Sequence, residues 1–459
     1  MTGLERQSVF SLAFLYASRM LGLFMVLPVF ILYGRDLENA NELLLGLAIG
    51  AYGLSQALLQ IPFGALSDKF GRKKLIFIGL ILFFLGSVIA ATSTDIYGVI
   101  IGRFIQGSGA IASVLMALLS DLTSEESRTK AMALVGMSIG VSFSLALVIG
   151  PIVAEWHGLQ GVFWLTAALA LFGVVWLFVF VPNPVHSTKS RDARLFKNQL
   201  GDVLRNKELL RLDFGIFALH LCLTAMFIAV PMSLLSHSDV TAENHWWVYL
   251  SVMMLSFFAM VPFIIVGEKK RQMKAVFMFA VVLLCIGAIS AVWSQERFEG
   301  FWLSLFIFFM AFNLLEASLP SLVSKLSPAG SKGTAMGVYS TSQFFGAFVG
   351  GVFGGWVLSS YQESGVYIFV SVVCLVWLVI AAKMTNPNPE TGMTLVLDAT
   401  CDERQAQDLI DSLGLISGVE EVVMTPGDHL VYMKVVKARL DDDALGHVVA
   451  TFNQQYAVE

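Results

Sequence analysis

Glu316 stands in the middle of a long apolar stretch, with Asn313 one helical turn before it, and an acid at that depth needs a partner or a function. A carboxyl among apolar helices can take up a proton from one side of a membrane and release it to the other. The alternative is a structural pair with an arginine of another segment. His220, early in a separate apolar stretch, has the second side chain suited to proton work, although a histidine bonded to a helix carbonyl would look the same in sequence. Arg103, three residues before Gln106, costs about 2.5–3.5 kcal/mol inside a membrane unless it meets protein, water or a partner, or snorkels to the interface. Arg19, Asn313, Tyr339 and Gln343 are polar groups placed to line a cavity for a small molecule. Glu155 and His157 add a further titratable pair near the end of another stretch. The membrane potential supplies about 2.3 kcal/mol per charge per 100 mV to such groups. No Gly-x-x-x-x-Gly-Lys-Ser/Thr phosphate loop occurs, so ATP is not expected as the direct fuel. Nothing in these patterns asks for an enzyme, a cofactor, a metal site or a nucleic-acid partner.

The elements that must hold these groups are membrane helices. Of 459 residues, 56% are hydrophobic and only 14% charged, far from the quarter charged that is usual in soluble domains. Windows of low charge predict twelve spans near 8–33, 43–66, 74–93, 96–120, 130–154, 161–182, 213–235, 246–267, 274–293, 301–324, 334–358 and 364–384. The polar stretch 183–212 divides them into two six-helix halves, 1–182 and 213–385, as expected of bundles that rock about a shared site. With the N-terminus in the cytoplasm, 21 Lys and Arg fall on the cytoplasmic side and two, Arg35 and Arg297, on the other. That asymmetry predicts an inner-membrane protein with both termini cytoplasmic. No cleavable leader is expected, because the first apolar stretch is full length. Cys222, Cys285, Cys374 and Cys401 follow no paired spacing and read as packed residues rather than bridges. In the linker, Leu195, Phe196, Leu200, Val203 and Leu204 recur at helical spacing among basic residues, which predicts an amphipathic helix on the inner leaflet.

After the second span the chain reads Gly64-Ala-Leu-Ser-Asp68-Lys-Phe-Gly71-Arg72-Lys73-Lys74. The glycines permit close approach and a tight turn, and Arg72 opens the third span. In a twelve-span chain this loop resembles the signature loop of the major facilitator superfamily, and the resemblance covers roughly residues 1–385. It implies the fold of that family, a gate at Gly64, Asp68, Gly71, Arg72 and Lys73, and a contact with an acid at the foot of span four, where Asp121 stands. In the family this gate secures the outward-facing state. Gly267-Glu-Lys-Lys-Arg271 looks like an eroded second copy. Gly102-Arg103-Phe-Ile-Gln106-Gly107 is similar to the pattern of proton-driven members, so the resemblance implies proton coupling through Arg103 and Gln106. Gly136 and Gly140, then Gly150-Pro151, resemble the fifth span of drug–proton antiporters, with Ala146 and Ala154 where glycines are expected. Span one carries Arg19 and no acid, so an anionic or neutral cargo is as admissible as a cation. Gly107, Gly136, Gly140, Gly150, Pro151, Gly346 and Gly350 are expected to let helices pack closely and slide.

From about 392 the composition changes. Strands are predicted at 393–399, 419–424 and 430–436, helices at 403–413 and 440–452, and a closing strand at 454–458. That order resembles a ferredoxin-like module, and a lone Cys401 in place of a Cys-x-x-Cys loop argues against thiolate metal capture. The expected architecture is therefore an all-α membrane protein of twelve helices plus a cytoplasmic α+β domain at 392–459. The expected function is a proton-coupled antiporter, an efflux carrier working by alternating access as a monomer in the lipid bilayer, on a small-molecule substrate. A sensor whose tail reports ligand occupancy, or a symporter or facilitator of the same fold, is the alternative.

Overall fold

The computed structural model describes residues 1–183, 200–237, 240–269, 272–328, 331–385, 391–397, 402–424, 430–436 and 439–456. The first helices are α1 (Gly3–Phe24), the single turn α2 (Phe30–Tyr33), α3 (Glu42–Phe70), α4 (Arg72–Thr92), α5 (Ile96–Ser108), α6 (Ala112–Asp121) and α7 (Glu125–Val179). A short helix α8 at 200–205 leads to α9 (Lys207–Leu235), α10 (His245–Lys269), α11 (Met273–Ser294), α12 (Phe298–Leu326) and α13 (Lys332–Ala382). Nine helical segments among the described residues are long and apolar enough to cross a membrane.

Two of those segments contain a reversal. Before Gly158, α7 runs alongside α1 in the same direction: Ser138 Oγ donates to the Ala13 carbonyl, and Gly150 packs on Met25. After Gly158, whose φ of 64° is the left-handed conformation that glycine tolerates, the order inverts. Thr166 Oγ1 then donates to Gly22 O and Trp176 Nε1 to Ser11 O. The same arrangement recurs in α13 around Gln362. Gly346 and Gly350 meet Phe217 and Leu221 of α9 in parallel order, while Tyr367 bonds Ser233 at 2.7 Å and Trp377 reaches Gly215 in antiparallel order. The two parts of the chain thus share one packing scheme, each with its first long helix held between the two arms of its last.

They touch most closely where α3 meets α13. A Cβ on Gly50 would lie 2.8 Å from the Phe348 carbonyl oxygen, on Gly53 2.6 Å from that of Phe344, and on Gly351 2.6 Å from that of Gly46. Backbone rests on backbone along this seam, which lies at the end of α3 remote from the Asp68–Arg72 loop.

Several predicted boundaries shift. The seventh span begins at Lys207 rather than 213, because Asn206 caps it by accepting from the N–H groups of Glu208 and Leu209. Of the predicted linker helix, 200–205 is helical with Val203 buried, and Leu195 and Phe196 lie outside the described residues. Lys270 and Arg271 of the second loop copy also lie outside them. Cys222 and Cys374 pack 3.8 Å apart, buried and unbridged.

The C-terminal part comprises β1 (Thr391–Val396), α14 (Glu403–Gly414), β2 (Val419–Met424), β3 (Leu430–Val435) and α15 (Asp442–Tyr456). The strands form an antiparallel sheet in the order β1-β3-β2, over a core that includes Leu409, Leu413, Val431, Met433 and Phe452. The predicted closing strand at 454–458 is corrected: residues 454–456 continue α15, and the rest lie outside the described residues. Cys401 lies outside them as well, and no metal-ligating cluster occurs among the described residues.

Candidate functional site

The signature loop closes on itself. Gly71, with φ of 98°, ends α3 and opens α4, which brings Arg72 back over the last turn of α3. Arg72 pairs with Asp68, donates 2.6 Å to Ser67 Oγ and reaches Asp121 Oδ2 at 3.1 Å from Nε. Lys73 donates to the Val181 carbonyl, and Gly64 faces Ser113 of α6. Sequence reasoning missed a neighbouring clasp. Glu5 at the start of α1 accepts from Ser124 N at 2.8 Å and from Ser127 Oγ at 3.3 Å, just beyond Asp121. The Ser124 bonds, led by its backbone N–H, hold the Glu5 carboxyl down to about 2. Asp68→Asn or Arg72→Ala is expected to raise the population open at the loop end. Thiol labelling from each side of the membrane measures it, and unchanged populations would refute the gating role.

The proton candidates separate into two groups. Glu316 (α12), His220 (α9) and Gln343 (α13) come together: the Gln343 amide nitrogen lies 2.8 Å from His220 Nε2 and 3.4 Å from Glu316 Oε1. If both amide protons are donated, His220 is the neutral Nδ1–H tautomer. That N–H then faces Glu316 Oε2 across 4.0 Å, too far for a hydrogen bond, and both atoms lack a partner. The Glu316 side chain is 37% accessible although its Oε2 is buried, so the cluster is not sealed on every side. Asn313 Nδ2 and the Tyr339 hydroxyl nearby are also without hydrogen-bond partners. Asp213 is a residue the sequence reading passed over, since it sat at a predicted boundary; it is buried with Oδ2 unpartnered, within electrostatic range of Tyr339.

Arg103 and Gln106 lie elsewhere, inside the first half. Arg103 does not snorkel: it is 1% exposed, donates to Gln106 Oε1 at 2.9 Å and lies 5.0 Å from the centre of the Tyr52 ring. Gln106 donates to Ser87 Oγ at 2.7 Å. Arg19, expected to line a cavity, is buried too. Its Nη2 contacts Tyr52 Oη (3.0 Å), Gln56 Oε1 (2.9 Å) and the Gly109 carbonyl (2.8 Å). The structure therefore does not unite Arg103 with Glu316.

Among the packing glycines, a Cβ at Gly107, Gly150, Gly346 or Gly350 would strike the backbone of Tyr52, Met25, Phe217 or Leu221 respectively, and Pro151 follows in α7. Gly136 and Gly140 are corrected. Both are exposed with nothing within 4 Å of an added Cβ, because that face of α7 is not covered by another helix.

Helices of this length, paired two by two around first helices that repeat one packing scheme, define a membrane carrier. The chain belongs to the Major Facilitator Superfamily, whose sequence profile matches residues 12–351 and 274–396. It is 46% identical over 435 residues to the inner membrane transport protein YajR of Escherichia coli K12, covering 95% of each chain. It is 25% identical over 366 residues to the quinolone resistance protein NorA of Staphylococcus aureus, covering 77% of this chain and 90% of that one. The fold is shared with the xylose transporter XylE from E. coli, with a TM-score of 0.63 at 15% identity over 83% of this chain and 98% of that one. The protein is a multi-pass inner-membrane transporter, not an enzyme.

Proposed function

We propose that the chain is a proton-coupled antiporter that exports a small molecule by alternating access. The observation that carries this is the Glu316–His220–Gln343 cluster, in which a half-exposed carboxylate and an imidazole share one amide and leave two of their atoms unpartnered. Protonating Glu316 removes its charge and weakens its hold on the Gln343 amide, and Gln343 belongs to α13, the helix that forms the seam with α3. A proton at the cluster is thereby read out as a bias on the contact between halves.

On this reading the chain crosses the membrane twelve times. Gly158 and Gln362 each turn one long helix into two crossings, and α1, whose apolar run is interrupted by Ser18 and Arg19, supplies another. Residues 1–182 and 213–385 form the two halves, 183–212 the linker, and 392–459 a ferredoxin-like cytoplasmic domain, with both termini in the cytoplasm and one chain as the working unit. The gate is Asp68, Arg72 and Asp121. In proteoliposomes, a compound that raises the thermal midpoint of the purified protein should move the lumenal pH as it crosses. Flux of such a compound with no proton movement refutes the coupling.

A further inference from the structure

We propose that Arg19, together with Tyr52, Gln56 and the break between α5 and α6, recognises an organic anion with a carboxylate head, so that the cargo is anionic. Three observations converge on this site. First, two guanidinium groups are buried around one tyrosine: Arg19 contacts its hydroxyl at 3.0 Å and Arg103 lies over its ring at 5.0 Å. Neither has a carboxylate within ion-pair distance among the described residues, and an unmatched buried cation is costly. Second, Arg19 is only partly used. Nη2 meets three acceptors and the guanidinium lies 5.7 Å from the centre of the Phe83 ring, whereas Nε and Nη1 are buried with no hydrogen-bond partner.

Third, the membrane helix stops and restarts beside it. Residues 109–111 are not helical, Arg19 binds the Gly109 carbonyl, and the ten-residue α6 starts at Ala112. Irregular backbone at membrane depth is tolerated where protein buries it or a cavity adjoins it, and the N-terminus of a restarted helix favours negative charge. A polar chain runs from Arg19 through Gln56 to Gln60, whose carbonyl accepts from Ser113 in the first turn of α6 at 3.1 Å. The guanidinium, the two glutamines and the first turn of α6 are thus joined by one buried chain of hydrogen bonds.

Glu316 does not supply the missing charge in this conformation, since it lies on α12 against Gln343 of α13 and His220 of α9. The free Nε and Nη1 hydrogens lie on different edges of the guanidinium, so a carboxylate on either edge takes one of them together with Nη2. This inference deepens the transport reading above and rests on it for carriage, though not for binding.

The test uses the full chain in detergent, with benzoate, benzamide and benzylammonium as matched probes and the same three head groups on a hexyl chain. Affinities are read from thermal shifts. The native protein should bind an acid about tenfold or more tightly than its amide, and the ammonium no better than the amide. Arg19→Gln should bring acid and amide within about twofold, while Arg19→Lys, which keeps the charge, should retain part of the preference. If Arg19→Gln does not fold, the native preference and its reduction in Arg19→Lys decide the matter. Equal binding of acid and amide, no binding of any acid, or an undiminished preference in the foldable variants overturns the proposal. Such a failure leaves proton coupling standing, and an acid preference without proton movement would sink coupling while sparing this site.

Discussion

Glu316→Gln is expected to stop proton-coupled flux, to the level of protein-free liposomes, while leaving substrate binding in place. Glutamine keeps the shape and a hydrogen-bonding oxygen for the Gln343 amide, which reaches Glu316 Oε1 at 3.4 Å, but it cannot lose a proton. The variant mimics a permanently protonated carboxyl. The sign follows from that equivalence: native protein should change its distribution of conformations as pH falls and Glu316 fills, and the variant should hold the low-pH distribution at every pH. His220 adds a control. Its Nε2 shares the Gln343 amide at 2.8 Å, so His220→Gln keeps a polar partner yet removes the imidazole. Titratable groups that interact with Glu316 are Tyr339 on α13 and, from the other half, Tyr16 on α1, while Asp213 on α9 interacts with Tyr339. Labelling of a thiol at each end of the bundle, measured across pH, follows the distribution. A Glu316→Gln protein that still titrates like the native one, or still pumps, would move the proton site to another of these groups.

Much of this arrangement was legible in the residues, and the parts that were not share a cause. The loop from Gly64 to Lys74 could be read because its turn chemistry is local: a glycine at positive φ puts Arg72 four residues from Asp68 on the returning turn. The meeting of Glu316, His220 and Gln343 was not legible, because α9, α12 and α13 are brought together only by tertiary packing. Gly136 and Gly140 show the same limit from the other side. Their four-residue spacing equals that of Gly346 and Gly350, yet one pair faces outward and the other touches α9 backbone. Spacing defines a face and leaves open what covers it. The break at 109–111 escaped notice since the apolar run continues through Ala110, Ile111 and Ala112, although Gly107-Ser-Gly109 was a signal of a weakened helix. Gln56 and Gln60, one turn apart in an otherwise apolar helix, were a second unread signal.

Gly351→Val is expected to cost nearly all transport by a different route, through the seam between α3 and α13. Even a bare Cβ at Gly351 would lie 2.6 Å from the Gly46 carbonyl oxygen and 2.8 Å from the Gly50 nitrogen, and both are backbone atoms that cannot rotate away. Overpacking of this kind costs about 1–3 kcal/mol, and here the strain exists only while the seam is shut. It therefore falls on one conformation, shifting the balance between states by about 5- to 140-fold, since about 1.4 kcal/mol is tenfold. Spin labels on Asp36→Cys and Tyr361→Cys, both exposed at the seam end, should report a longer and narrower separation than in the native background. Gly46→Ala and Gly355→Ala press on the same seam from its two sides and should act in the same direction, whereas Gly136→Ala, on an uncovered face, should leave the distance and the flux unchanged. That contrast separates a gate from general damage to a helix. A native-like distance distribution in Gly351→Val would mean that the halves do not need this backbone contact to close, and the seam would then be only one way for two helices to rest.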